Sequence, residues 1–225
     1  LNRKINGFGL VYLNSSATTQ KSKAVIDSVK EFYENFNANV HRDSSELGNE
    51  AEKIYNESRK KAADFLNSEV EEIVFTKSCT EAINLVAFGL GLKRGDKVVV
   101  SIANHHSNFV AWKMLERRGV VVEILDVNKG GKIKIDMEKI RGARVLALTH
   151  LSNVLGNVID LKKICNIAHE QKCLVLVDAA QSIGKMKIDV RDLDCDFLTF
   201  SGHKMFAING VGVLYGKKKL LERVK

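Results

Sequence analysis

The 225-residue chain is 45% hydrophobic and 28% charged, enough apolar material to bury a substantial core, which excludes a disordered polypeptide. Its formal charge of +8 is spread over the whole length, with only Lys217-Lys218-Lys219 forming a run, so solvated helix faces explain it better than nucleic-acid binding. Apolar stretches such as residues 85–88 and 98–100 fall far short of the roughly 20 residues that cross a bilayer, so no membrane association is expected.

Residues 1–6 carry charges but no apolar region and no small-residue cleavage site, so no secretory signal is read there. Two amphipathic stripes follow, Val25, Val29, Phe32 and Phe36 on one, Ala51, Ile54, Tyr55, Ala62, Phe65 and Leu66 on the other, and both predict helices. From Glu72 onward the pattern changes to short runs rich in Val, Ile and Leu, at 73–75, 98–101, 121–127, 145–149, 174–178, 197–200 and 211–215. These predict buried strands. Helical patterns at 80–92, 108–118 and 161–171 lie between most of them. The alternation predicts an α/β fold with a mostly parallel sheet flanked by helices. No linker, low-complexity segment or repeat divides the chain, so a single domain over residues 1–225 is expected.

Proline is absent, although average usage near 5% predicts about eleven, and turns therefore rely on Gly, Asn, Asp and Ser, as in Asn128-Lys129-Gly130-Gly131. The four cysteines, Cys79, Cys165, Cys173 and Cys195, are scattered, with no C-x-x-C pair and no histidine at metal-ligand spacing. A reducing, cytoplasmic setting without a metal site is expected.

In an open α/β sheet, ligands bind beyond the carboxyl ends of the strands, so the residues that end each apolar run carry the chemical information. One run ends at Thr76 and leads through Lys77-Ser78-Cys79-Thr80-Glu81 into a helix. Ser78 and Glu81 have capping-box spacing, and the outward N–H groups suit either a phosphate or an ordinary capped helix. The run at 174–178 is apolar until its last residue, Asp178, a carboxylate that needs a partner if buried. That partner is a cap or a salt bridge on one reading, and a cationic ring nitrogen on the other, with Gln181 close enough in sequence to hydrogen-bond the same ligand.

The next run ends in Ser201-Gly202-His203-Lys204. A lysine at a buried strand end is expensive to charge, so its pKa should fall and its amine become nucleophilic; a lysine reaching solvent is the alternative. The pairing changes the balance. A strand ending in Asp, followed about 26 residues later by one ending in Ser-x-His-Lys, suits pyridoxal 5′-phosphate (PLP). There the lysine forms a Schiff base and the aspartate keeps the pyridine nitrogen protonated. His105, after the run 98–101, stands at the same edge and is able to stack on the ring.

These residues resemble the class V aminotransferase fold group, and most closely the group II cysteine desulfurases, the SufS-like or selenocysteine-lyase-like branch. The resemblance runs from Val11-Tyr12-Leu13-Asn14 to Leu214-Tyr215-Gly216. It passes through Asn37-Ala38-Asn39-Val40-His41-Arg42, Thr80-Glu81-Ala82-Ile83-Asn84, His105-His106-Ser107-Asn108, Thr149-His150-Leu151-Ser152-Asn153, Val177-Asp178-Ala179-Ala180-Gln181 and Ser201-Gly202-His203-Lys204.

The resemblance implies the large domain of a type I PLP transferase, with a seven-stranded sheet and the C-terminal small domain missing. It implies that Lys204 is the Schiff-base lysine and proton shuttle, that Asp178 pairs with the pyridine nitrogen, and that His105 stacks on the ring and serves in acid–base steps. Gln181 and Asn153 would lie near the ring hydroxyl and substrate. Thr80, Ser201, His203 and the backbone at Cys79 would hold the phosphate, and His41 would stand near the substrate entrance, often across a dimer interface.

The activity implied is conversion of L-cysteine to alanine, with sulfur passed to an enzyme cysteine, in sulfur mobilisation for iron–sulfur cluster assembly. The partners implied are a second copy in a homodimer and a sulfur-acceptor protein. Other enzymes on the same frame, such as a selenocysteine lyase, aminotransferase or epimerase, and a non-catalytic truncated scaffold, are the alternatives. The sequence departs from the family pattern at Cys79, where Thr or Ser is usual, at Asn104, where Glu is usual, and at Phe206-Ala207-Ile208-Asn209, where Tyr-Gly-Pro-Thr is typical.

Overall fold

The computed structural model describes residues 3–42 and 44–224; Leu1 and Asn2, part of the stretch read for a signal, lie outside them. A short hairpin, β1 (Lys4–Ile5) and β2 (Phe8–Gly9), precedes α1 (Lys23–Glu31), a π-helical turn at Phe32–Phe36 and the long α2 (Glu46–Leu66). Then follow β3 (Ile73–Thr76), α3 (Cys79–Gly89), β4 (Lys97–Ser101), α4 (His106–Lys113), β5 (Val121–Leu125), α5 (Met137–Ile140) and β6 (Ala143–Thr149). The chain continues through α6 (Leu161–Glu170), β7 (Leu174–Asp178), α7 (Val190–Leu193), β8 (Phe197–Ser201), β9 (Gly212–Gly216) and α8 (Lys218–Leu221).

The seven-stranded sheet has the order β3-β9-β8-β7-β6-β4-β5. The β5–β4–β6–β7–β8 pairs are parallel, and β9 runs antiparallel to both β8 and β3. Its strands are apolar on both faces because both faces are covered. Leu146, Leu148, Val175 and Val177 pack with Leu66, Leu161 and Cys165 on one side, while Val98, Val100, Ala147 and Leu176 pack with Ile83, Val86 and Trp112 on the other. Each such fully buried aliphatic side chain stabilises the fold by about 1.5–3 kcal/mol.

Two expected elements end differently. The run at 121–127 pairs only to Leu125, and Val127 instead bridges Ile133 across the Asn128-to-Gly131 turn. The helix expected over 108–118 is α-helical to Lys113 and tightens into a 3₁₀ turn, Met114–Arg118, that stops at Gly119 with φ +80°. A glycine meets that left-handed conformation without a Cβ penalty.

At the amino edge of the sheet a buried carboxylate is fully matched. Asp196, 4% exposed, accepts from the Val175 N–H at 2.8 Å and lies 2.8 Å from His169 Nε2 and 3.0 Å from Lys217 Nζ. The carboxyl edge, where Thr149, Asp178 and Ser201 end β6, β7 and β8, is built otherwise.

Candidate active site

Asp178 is 3% exposed, yet it is the converse of Asp196. Both its hydrogen bonds fall on one oxygen: Oδ1 accepts from the Ala180 N–H at 3.0 Å and from Cys79 Sγ at 3.4 Å. Among the described residues no side-chain cation forms an ion pair with it. Burial therefore pushes its pKa up, against the lowering pull of these hydrogen bonds and of the charge on Lys204.

Asp178 lines a cavity of about 450 Å³ that also takes in Cys79, Thr80, His105, Asn153, Gln181, Ser201, His203 and Lys204. The structure thus brings the expected cofactor residues to one place. His41 stands elsewhere: its ring pairs with Glu52 at 3.3 Å and meets Tyr55 edge-on at 5.2 Å. A larger cavity of about 580 Å³, walled largely by Ile133, Ile135, Val158, Ile159, Ile164 and Ile167, shares Thr149 with the Asp178 cavity and is mainly aliphatic. The convergent polar chemistry belongs to the smaller one.

Lys204 lies one 3₁₀ turn, Gly202–Lys204, beyond β8 rather than on the strand itself, and is half-buried. Burial lowers the pKa of His105, of His203 and of Lys185, and the Lys204 charge adds to the lowering at each. His105 caps α4, and its Nδ1 accepts the Ser107 N–H at 3.2 Å, with the Ser107 hydroxyl at 2.8 Å. A neutral His105 therefore carries its proton on Nε2.

Ser78 caps α3 by accepting the Glu81 N–H at 3.1 Å, while the Glu81 carboxylate takes the Lys77 N–H at 2.5 Å instead of closing the expected box on Ser78. Next to that cap, the Cys79 N–H donates to Ser201 Oγ at 2.8 Å, which joins the α3 terminus to the end of β8. The Cys79 thiol turns inward, 3.2 Å from Thr199 Oγ1 and onto Asp178. Burial and the Asp178 charge hold its pKa well above the usual thiol range. Cys165 and Cys173, also buried, are pushed up to about 12, so neither thiol is poised to attack.

Gln181 is tied at both ends. Its Nε2 donates to the Ser16 carbonyl at 2.7 Å and its Oε1 accepts from Lys185 Nζ at 2.7 Å. Asn104 explains its own departure from Glu. Its amide donates to the Ala147 carbonyl at 2.8 Å while its oxygen accepts the Thr149 N–H at 3.0 Å, a pairing that needs both a donor and an acceptor. Ser16, Ala17, Ser107 and Thr149, which were not expected there, also stand on the cavity wall. Ser107 and Thr149 sit inside motifs already quoted, but Ser16 and Ala17 arrive from the far end of the chain without any local signal.

β9 presses on the α3 cap. A Cβ on Gly212 would sit 2.6–2.8 Å from the backbone N, Cα and C of Ser78. Gly212→Ala is expected to lower stability by about 2 kcal/mol, measured by urea unfolding, because the neighbour is backbone and has nowhere to move.

The histidines set a pH dependence. His105, His150 and His203 all have pKa values lowered from 6.5, chiefly by burial. The unfolded chain therefore takes up these protons first as pH falls. The stability they contribute is present above about pH 6.5 and is lost below it. The urea midpoint is expected to fall between pH 7 and pH 5 and to fall less in His150→Gln.

Among the described residues no cluster of three or more His, Cys, Asp or Glu side chains is arranged to hold a metal, and no helix is long and apolar enough to cross a membrane.

Residues 11–225 match the family model described as aminotransferase class-V. A probable cysteine desulfurase of Halalkalibacterium halodurans is 45% identical over 100% of this chain and 57% of its own length. An apo structure of the cysteine desulfurase of Thermococcus onnurineus superposes with a TM-score of 0.92 at 38% identity, over 96% of this chain and 55% of that one. A structure of SspA in complex with cysteine matches with a TM-score of 0.82 at 29% identity, over 91% of this chain and 60% of that one. The chain spans little more than half the length of these relatives.

Proposed function

The chain belongs to the class-V aminotransferase family, and from that premise we propose that it supplies the cofactor-binding chemistry of a PLP-dependent cysteine desulfurase. The observation that carries the reading is Asp178, a buried carboxylate with no ion-pair partner among the described residues, on the same cavity as Lys204. A group with a cationic ring nitrogen fits the Asp178 carboxylate in charge. The names of the relatives support the choice of reaction.

When bound, PLP supplies an electron sink for bonds breaking at a substrate's α-carbon. Lys204 would hold the cofactor through its amine and would hold or pass a proton at Nζ. Asp178 would supply the anion for the ring nitrogen, and the Cys79 thiol donates to that carboxylate. His105, fixed through Nδ1 by Ser107, presents its ring to the cavity and Nε2–H for acid–base work. Thr80, Ser201, His203 and the amino end of α3 would hold the phosphate, and Asn153 and Gln181, on the same cavity wall, would face the substrate.

The exposed apolar side chains Phe8, Val11, Leu13 and Val154 support a homodimer, with His41 serving the site of a neighbouring copy. A cytoplasmic role in passing sulfur to an acceptor protein for iron–sulfur assembly completes the reading. Incubating the full gene product with L-cysteine and a thiol reductant is expected to yield alanine and sulfide in equal amounts. A keto acid in place of alanine would point instead to an aminotransferase.

A further inference from the structure

Residues 16–21 cross the turn that presents Lys204, and Thr19 is their most buried member, 5% exposed. Its N–H and its hydroxyl both donate to the His203 carbonyl, at 2.9 and 3.0 Å. The same hydroxyl oxygen accepts the Phe206 N–H at 2.8 Å. One side chain therefore grips the backbone immediately before Lys204 and two residues after it. Thr18 Oγ1 and Lys21 Nζ add donors to the His203 carbonyl at 3.1 Å each, and Gln181 anchors the strap at the Ser16 carbonyl.

The held turn is a strained one. Phe206 has φ +71°, a left-handed conformation that bulky side chains avoid, and with its side chain 54% exposed, burial of the ring does not account for it. The surrounding structure must impose it, and the Phe206 N–H is held by Thr19.

We propose that Thr19 is a positioning residue for Lys204, its hydroxyl clamping His203 and Phe206 so that the lysine side chain is aimed into the cavity. The inference rests on reading Lys204 as the cofactor lysine, but its geometry is independent of any cofactor.

The test has a cofactor-free arm and a loaded arm. In the cofactor-free protein the Phe206 amide is expected to be protected from hydrogen exchange despite its exposed side chain. Thr19→Val should speed that exchange by about tenfold or more, and Thr19→Ser, which keeps the hydroxyl, should stay within about twofold of the parent. On addition of PLP, covalent capture at Lys204, followed by visible absorbance and by borohydride-fixed mass, should slow about tenfold in Thr19→Val and not in Thr19→Ser.

An unprotected Phe206 amide in the parent protein overturns the proposal, and this measurement decides even where the valine variant fails to fold. A serine variant that behaves like valine overturns it too, because the hydroxyl would then be irrelevant. A parent protein that takes up no PLP removes the cofactor reading instead, while the exchange arm still judges the clamp.

Discussion

Lys204→Ala is expected to abolish, not merely weaken, the visible absorbance that develops when PLP is added to the protein. The reason is the lack of a substitute amine. Lys204 is the one lysine on the cavity wall among the described residues. Two lysines bound to its neighbours are engaged: Lys185 Nζ is bound to Gln181, and Lys21 Nζ is bound to the Thr19 and His203 carbonyls. Non-covalent retention of the phosphate at the α3 terminus would persist, so equilibrium dialysis should still detect weakened binding in the variant. A full-strength band in Lys204→Ala would shift the assignment to Lys185.

Asp178→Asn is expected to move stability and cofactor affinity in opposite directions. In the cofactor-free protein the carboxylate is buried with no ion pair among the described residues, so neutralising it should stabilise the fold by on the order of 1 kcal/mol in urea unfolding. The Asn oxygen can still accept from Ala180 and Cys79. With the cofactor, the loss of a charged hydrogen bond should weaken PLP binding by about 10- to 100-fold. The pH dependence has a definite sign as well. Because the folded pKa of Asp178 lies above its ordinary value of 3.8, its contribution to the empty fold is present below that value and is lost as pH rises through the raised one. A bound cation at the ring nitrogen should reverse that slope. If Asp178→Asn left both stability and PLP affinity unchanged, the pairing with the ring nitrogen would fail.

Much of the sheet was legible because strands buried on both faces must be apolar throughout. The runs at 145–149 and 174–178 therefore announced β6 and β7, and their polar last residues, Thr149 and Asp178, marked the edge where ligands gather. The side-chain directions were not legible. Cys79 reads as part of a phosphate loop, yet its backbone faces Ser201 while its thiol backs Asp178, and only the packing of α3 against β8 decides between the two. Glu81 likewise has capping-box spacing but reaches Lys77. The strap was invisible for a different reason. Thr19 and His203 lie 184 residues apart, and no periodicity or local motif links residues at that separation.

Mapping the lysine that PLP modifies tests the central claim most directly. The protein is mixed with PLP, reduced with borohydride, digested and analysed by mass spectrometry. A single adduct on the peptide that carries Lys204, lost in Lys204→Ala, is the predicted result. An adduct spread over surface lysines, or placed on Lys185 while Lys204 stays unmodified, would contradict it.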